Sequence, residues 1–274
     1  MKHNFLSLIV ACCLLFVASC TVIPEDERII HGEIDYGTKS VLLVEFTGWK
    51  CVNCPDAAKV AHQLLDLHGD NLVVVGMHPD GSTWTVPSGT ALDFRTEAAG
   101  VYWTHFGSPV SFPIGVIDFH EFNGSYLLDR NLWASSVSER RQLNQVAQLA
   151  LQVTAANNDL TIQTTVSAES DADIIDNVSL ILWITEDNIV GLQLEGSEPN
   201  PEYVHNHVFR AAVTPEWGVD ITVPTVENPS SYDTTFTLQD GWVANNCNVV
   251  AVLIDKQTKE VLTVKQVPVV AATE

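Results

Sequence analysis

Two cysteines three positions apart, Cys51 and Cys54, are the residues best suited to chemistry in this chain. They lie in the stretch Phe46-Thr47-Gly48-Trp49-Lys50-Cys51-Val52-Asn53-Cys54-Pro55. A dithiol at this spacing can close into a disulfide and reopen by exchange with an outside thiol. Cys51 is expected at a helix N-terminus, where unpaired N–H groups and the helix dipole favour a thiolate, and Cys54 would then resolve a mixed disulfide. Glu45 is a candidate buried acid: burial would raise its pKa and let it accept a proton from Cys54. Strand alternation allows that role only if Val44 and Phe46 point the other way. Pro113, opening an apolar strand, is a candidate cis-proline whose neighbouring backbone groups would pair with a substrate strand, the alternative being an ordinary trans proline.

Other uses of the pair stay open. Zinc needs two more ligands, and His62 and His68 follow at a spacing wrong for a finger. A permanent structural disulfide is the stronger competitor. No metal and no cofactor is expected.

The elements that must position these residues are legible around them. The apolar run Val41–Phe46 reads as a buried strand, and Ala57, Ala58, Val60, Ala61, Leu64, Leu65 and Leu67 recur at helical spacing after Pro55. A strand at Leu72–Met77 completes a βαβ unit. Then come a turn-rich loop from His78, helical spacing over Leu92–Phe106, a strand opened by Pro113, a tight turn at Asn123-Gly124 and a helix over about Ser138–Val153. The order β-α-β-α-β-β-α is similar to a thioredoxin fold over residues 39–155. One departure is Lys50, between Trp49 and Cys51, where thioredoxins have Trp directly before the first cysteine.

From residue 156 to 274 short alternating or β-branched segments replace helices: Leu160–Val166, Val178–Ile184, Val204–Val213, Thr234–Leu238, Val249–Ile254 and Val261–Val267. This predicts an antiparallel β-sandwich of immunoglobulin-like type. Tyr203-Val204-His205-Asn206-His207 would place two histidines on one strand face; without a third ligand this reads as a polar face. Glu169, Asp171, Asp173 and Asp176 form an acidic turn that lacks the glycine and closing glutamate of a calcium loop. Trp183, Trp217 and Trp242 are spaced as core aromatics. Cys247 reads as a small buried hydrophobe.

The N-terminus speaks to location. Lys2 and His3 precede an apolar run, Phe5–Phe16, then Val17-Ala18-Ser19-Cys20: a secretory signal over residues 1–19, too short to make a good membrane span. Val17-Ala18-Ser19-Cys20 resembles a lipobox, which would make Cys20 the lipidated first residue of a tether over residues 20–38. Thr21, rather than an aspartate, resembles lipoproteins sent on to the outer membrane. Cys12 and Cys13 leave with the signal. The formal charge of −21 over 274 residues argues against nucleic acid as a partner, and 46% hydrophobic content is enough for a sizeable core in each of two domains.

The chain resembles the outer-membrane protein 28 family of Bacteroidetes-type lipoproteins. The residues that carry the likeness are the Phe46–Pro55 stretch, Tyr203-Val204-His205-Asn206-His207-Val208-Phe209-Arg210 and Asn246-Cys247-Asn248-Val249-Val250-Ala251. The resemblance implies an outer-membrane lipoprotein with a thioredoxin-like N-terminal part and no established catalytic residue beyond the cysteine pair. Two functions are therefore expected in competition. One is a thiol–disulfide oxidoreductase using Cys51, Cys54, Pro113 and Glu45 on envelope or surface proteins. The other is a surface binding or adhesion module that uses the fold as a scaffold.

Overall fold

The computed structural model describes residues 39–169 and 177–269. The signal, the tether with Cys20 and most of the acidic turn after Glu169 lie outside the described residues. Among the described residues, three α-helices and thirteen strands make up a mostly β architecture of several sheets.

Strand β1 (Val41–Phe46) is buried along its whole length, as its sequence, apolar but for Glu45, suits. It pairs in parallel with β2 (Leu72–Met77) and antiparallel with β3 (Ile114–Ile117). Between β1 and β2 lies α1 (Cys54–His68), started by Pro55 in the first turn and ended at Gly69, whose φ is +54°. Between β2 and β3 lies α2 (Glu97–His105), capped by the Thr96 side chain, which accepts from the Ala99 N–H at 3.0 Å. Leu128 bridges Gly115 on the far side of β3, and α3 (Arg130–Arg141) follows.

The helix expected over Ser138–Val153 is corrected. Helix α3 ends at Arg141, and β4 (Ala147–Ala156) begins a long hairpin with β5 (Asp159–Ala168). The residues 147–155 alternate, with Ala147, Leu149, Leu151, Val153 and Ala155 on the covered side, and that period of two prevails once a partner strand is present. The next strands are β6 (Val178–Glu186), β7 (Ile189–Glu195), β8 (Glu198–His205), β9 (Val208–Ala212), β10 (Val219–Asp220), β11 (Ser230–Thr237), β12 (Cys247–Asp255) and β13 (Val261–Pro268). The single strand expected over Val204–Val213 is two strands, broken where His207 turns with a φ of +57°.

One sheet crosses the position, between 155 and 156, where the sequence suggested a boundary. Its order is β13-β12-β6-β9-β2-β1-β3, with β10 on β6. The join is the parallel pair Gly76–Val208, reinforced by the Gly76 N–H donating to the His207 carbonyl at 2.8 Å. One face of this sheet packs Val44, Phe46, Val75 and Met77 with Tyr102 and Phe106 of α2 and with Trp183 and Phe209. On the other face, Val41 and Leu43 meet Ala57, Ala61 and Leu64 of α1 and Trp133 of α3. The second sheet, β11-β5-β4, lays Leu160 and Ile162 against Leu180, Leu182, Val249 and Ala251.

A buried ionic centre ties β1 to α3 and β13. Asp118 is wholly buried; it accepts from the Leu42 N–H at 2.9 Å, from Arg140 Nε at 3.0 Å and from Lys39 Nζ. Arg140 also pairs with Glu260, and the Asp118 carbonyl accepts from the Val261 N–H at 2.8 Å.

Candidate functional site

The cysteine loop is shaped by close backbone approach. A β-carbon on Gly48 would lie 2.6 Å from the Trp84 carbonyl oxygen, so only glycine fits there. That carbonyl instead accepts from the Lys50 N–H at 3.2 Å. Trp49 is buried and donates its indole N–H to the Val86 carbonyl at 2.9 Å, while Lys50 Nζ lies 5.3 Å from the Trp49 ring centroid.

Cys51 and Cys54 are joined in a disulfide with Cα atoms 5.4 Å apart. Helix α1 starts at Cys54, so Cys51 stands one turn ahead of it, its carbonyl accepting from the Cys54 N–H at 3.2 Å. Both are buried: Cys51 is 1% exposed and Cys54 3%.

The cover comes from the β7–β8 hairpin. Leu194 N–H donates to the Trp49 carbonyl at 2.9 Å, and Gly196 N–H to the Val52 carbonyl at 3.3 Å. Gln193 is itself buried, and its Nε2 donates to the Cys51 carbonyl at 3.0 Å and the Gly48 carbonyl at 3.4 Å. Neither this hairpin nor Gln193 was marked by the sequence.

Beside Cys54 lies a cavity of about 220 Å³, with Glu45, His78, Gln193 and His205 also on its wall. Glu45 shares the β1 face of Val41 and Leu43, turned toward α1, as strand alternation requires. Three buried polar atoms there have no hydrogen-bond partner among the described residues: Glu45 Oε1, His78 Nδ1 and His205 Nε2. Burial raises the Glu45 carboxyl to about 8. It lowers His205 to about 4 and, helped by the charges of His205 and Arg210, His78 to about 3. At neutral pH the cavity is therefore lined mainly by uncharged hydrogen-bonding groups.

Pro113 stands at the entry to β3, and the Phe112–Pro113 peptide is cis. His205 and His207 are not on one strand face, as the sequence suggested. His205 ends β8, buried against Phe94 with ring centroids 5.0 Å apart, while His207 lies in the turn and pairs with Asp187 at 3.2 Å. Among the described residues no group of three His, Cys, Asp or Glu side chains is placed to hold a metal ion. Cys247 is buried beside Glu186, and burial pushes its thiol up to about 12, which suits an inert packing residue. Of the three tryptophans, Trp183 is fully buried and donates to Tyr102 Oη at 3.1 Å.

The family profile of outer membrane protein Omp28 matches residues 108–272, more than half of the chain. The chain belongs to the Omp28 family. Its location is the outer membrane, and no helix among the described residues is long and apolar enough to cross a membrane. The Omp28 profile starts after the cysteine loop, so family membership by itself says nothing about Cys51 and Cys54. Among solved structures, HBP35 of Porphyromonas gingivalis has the same fold, with a TM-score of 0.68 at 17% identity over 87% of this chain and 79% of that one. A domain of the outer membrane lipoprotein Omp28 from Porphyromonas gingivalis matches at 22% identity over 47% of this chain and 91% of its own, with a TM-score of 0.34. No curated protein matches the chain.

Proposed function

We propose that this Omp28-family protein is a thiol–disulfide oxidoreductase of the outer membrane, anchored by lipid on Cys20 and acting on thiols or disulfides of the envelope. The observation that carries it is Glu45. A carboxyl group buried without a hydrogen-bond partner costs stability, and its place on the cavity wall shared with Cys54 gives it work to do. With its proton affinity raised, Glu45 takes up and returns a proton near neutral pH while the Cys54 sulfur passes between disulfide and thiol. Support for a thioredoxin-like part comes from the β1-α1-β2 unit, β3 antiparallel to β1, and Pro113 at the start of β3. The two face-to-face sheets beyond it support a sandwich-like second part.

The reduction potential of the Cys51–Cys54 pair tests the proposal. A value between roughly −120 and −270 mV belongs to exchange catalysts. A value below about −300 mV marks a structural disulfide and removes the activity. One observation favours the second reading, a binding or adhesion module on a static scaffold: both cysteines have almost no exposed surface. In that case ligand binding at the surface survives replacement of both cysteines by serine.

A further inference from the structure

The two cysteines of the pair differ in what surrounds them. Cys51 lies beneath the hairpin, its carbonyl held by Gln193 and the neighbouring Trp49 and Val52 carbonyls held by Leu194 and Gly196. Cys54, by contrast, forms part of the cavity wall, and Cys51 does not. The cavity reaches the surface, because His62, Val204 and Asn206 on its rim are exposed. Its volume of about 220 Å³ is room for a guest well beyond a single water.

We infer that the cavity is a binding site for small thiols, which enter past His62 and Asn206 and attack Cys54 rather than Cys51. This rests on the redox reading of the pair. The wall offers the groups such a guest needs: Glu45 Oε1, His78 Nδ1 and His205 Nε2 are buried, unpaired and able to exchange hydrogen bonds with it. The chain's charge of −21, with Asp66 beside His62 and Asp187 beside His207 at the rim, selects neutral or cationic thiols over anionic ones.

The chemistry balances with two thiols. In the fraction of molecules whose Glu45 is ionised, the first gives its proton to that carboxylate, and its sulfur bonds to Cys54 Sγ. The Cys51–Cys54 bond breaks with its electron pair on Cys51. The second thiolate attacks the guest sulfur of the mixed disulfide; the small disulfide leaves, and the Cys54 thiolate takes the proton back from Glu45. The second thiol's proton ends on Cys51. Two thiols are oxidised to one small disulfide and the protein pair is reduced.

The test uses cysteamine and its disulfide, cystamine. Oxidised full-length mature protein is exposed briefly to cysteamine, quenched in acid and mapped by peptide mass. The adduct is expected on Cys54. In parallel, Cys51→Ser and Cys54→Ser variants, checked for folding by circular dichroism, are reacted with cystamine. The Cys54 thiol is expected to react roughly tenfold faster than the Cys51 thiol, and roughly tenfold faster with cystamine than with glutathione disulfide after correction for a free cysteine. Val204→Trp at the rim is expected to slow the Cys54 reaction by about fivefold. An adduct on Cys51, equal rates for the two thiols, or no effect of Val204→Trp overturns the cavity route while the redox reading stands. A potential below about −300 mV for the wild-type pair removes the redox reading, and with it the assignment of a substrate.

Discussion

The side-chain amide of Gln193 donates to the carbonyl of Cys51 at 3.0 Å, across 142 positions of sequence. The same nitrogen lies 3.4 Å from the Gly48 carbonyl, so one residue of the β7–β8 hairpin closes the turn that carries the first cysteine. Gln193→Ala leaves these carbonyls without that donor. A loss of about 1–3 kcal/mol in urea unfolding is expected, together with faster alkylation of Cys51 after mild reduction. Unchanged alkylation would mean that the hairpin stays closed without this residue.

The cavity groups impose a pH dependence whose sign can be worked out. Folded Glu45 titrates at about 8 against an ordinary 4.5, so in that window the folded chain holds a proton the unfolded chain has lost, and stability falls as pH rises. His78 and His205 titrate at about 3 and about 4 against an ordinary 6.5, so below 6.5 the unfolded chain binds more protons, and stability falls as pH falls. Tyr203, raised to about 12 by burial, stays protonated throughout. The cluster therefore favours a stability maximum near pH 6.5. Glu45→Gln is expected to flatten the alkaline side, where the slope approaches about 1.4 kcal/mol per pH unit, in denaturation curves taken from pH 5 to 9. An unaltered alkaline slope in this variant would show that Glu45 is not the group responsible.

Asp118 neutralises Lys39 and Arg140 in a site without water access. Asp118→Asn leaves Lys39 facing a neutral amide, while Arg140 keeps Glu260 alone. A loss of about 3–5 kcal/mol is expected in chemical denaturation. Glu260 is partly exposed, so Glu260→Gln is expected to cost well under half as much.

Gly48 and Gly76 make a matched pair of substitutions. An added β-carbon at Gly48 would press on the Trp84 carbonyl at 2.6 Å, whereas at Gly76 its nearest neighbour is the His207 carbonyl oxygen at 3.6 Å, an ordinary contact. Gly48→Ala is expected to destabilise by about 1–3 kcal/mol, and Gly76→Ala to stay within about 1 kcal/mol of wild type, in thermal unfolding.

The strands that carry the site were legible because their residues leave little choice: Val41–Phe46, apolar but for Glu45, and Leu72–Val75 are short apolar runs that suit buried strands. Glu45 stood out as the one acid inside such a run. The helix expected after Ser138 failed because Val146, Leu149, Ala150 and Val153 fit a period of 3.6 while Ala147, Leu149, Leu151 and Val153 fit a period of two, and only the partner strand β5 decides between them. The hairpin over the cysteines escaped notice because Pro199 and Pro201 and a scatter of polar residues conceal β8. His78 and His205 carry no local mark of their roles, since only the folded chain brings both rings against Phe94 and onto one cavity wall.

The pair Gly76–Val208 has a consequence in time as well as in space. The chain is made from its N-terminus, and Gly76 waits for its partner until β9 has been synthesised and delivered. The β7–β8 hairpin comes as late, so the oxidant that joins Cys51 to Cys54 finds its widest access before that hairpin has closed over the cysteine loop.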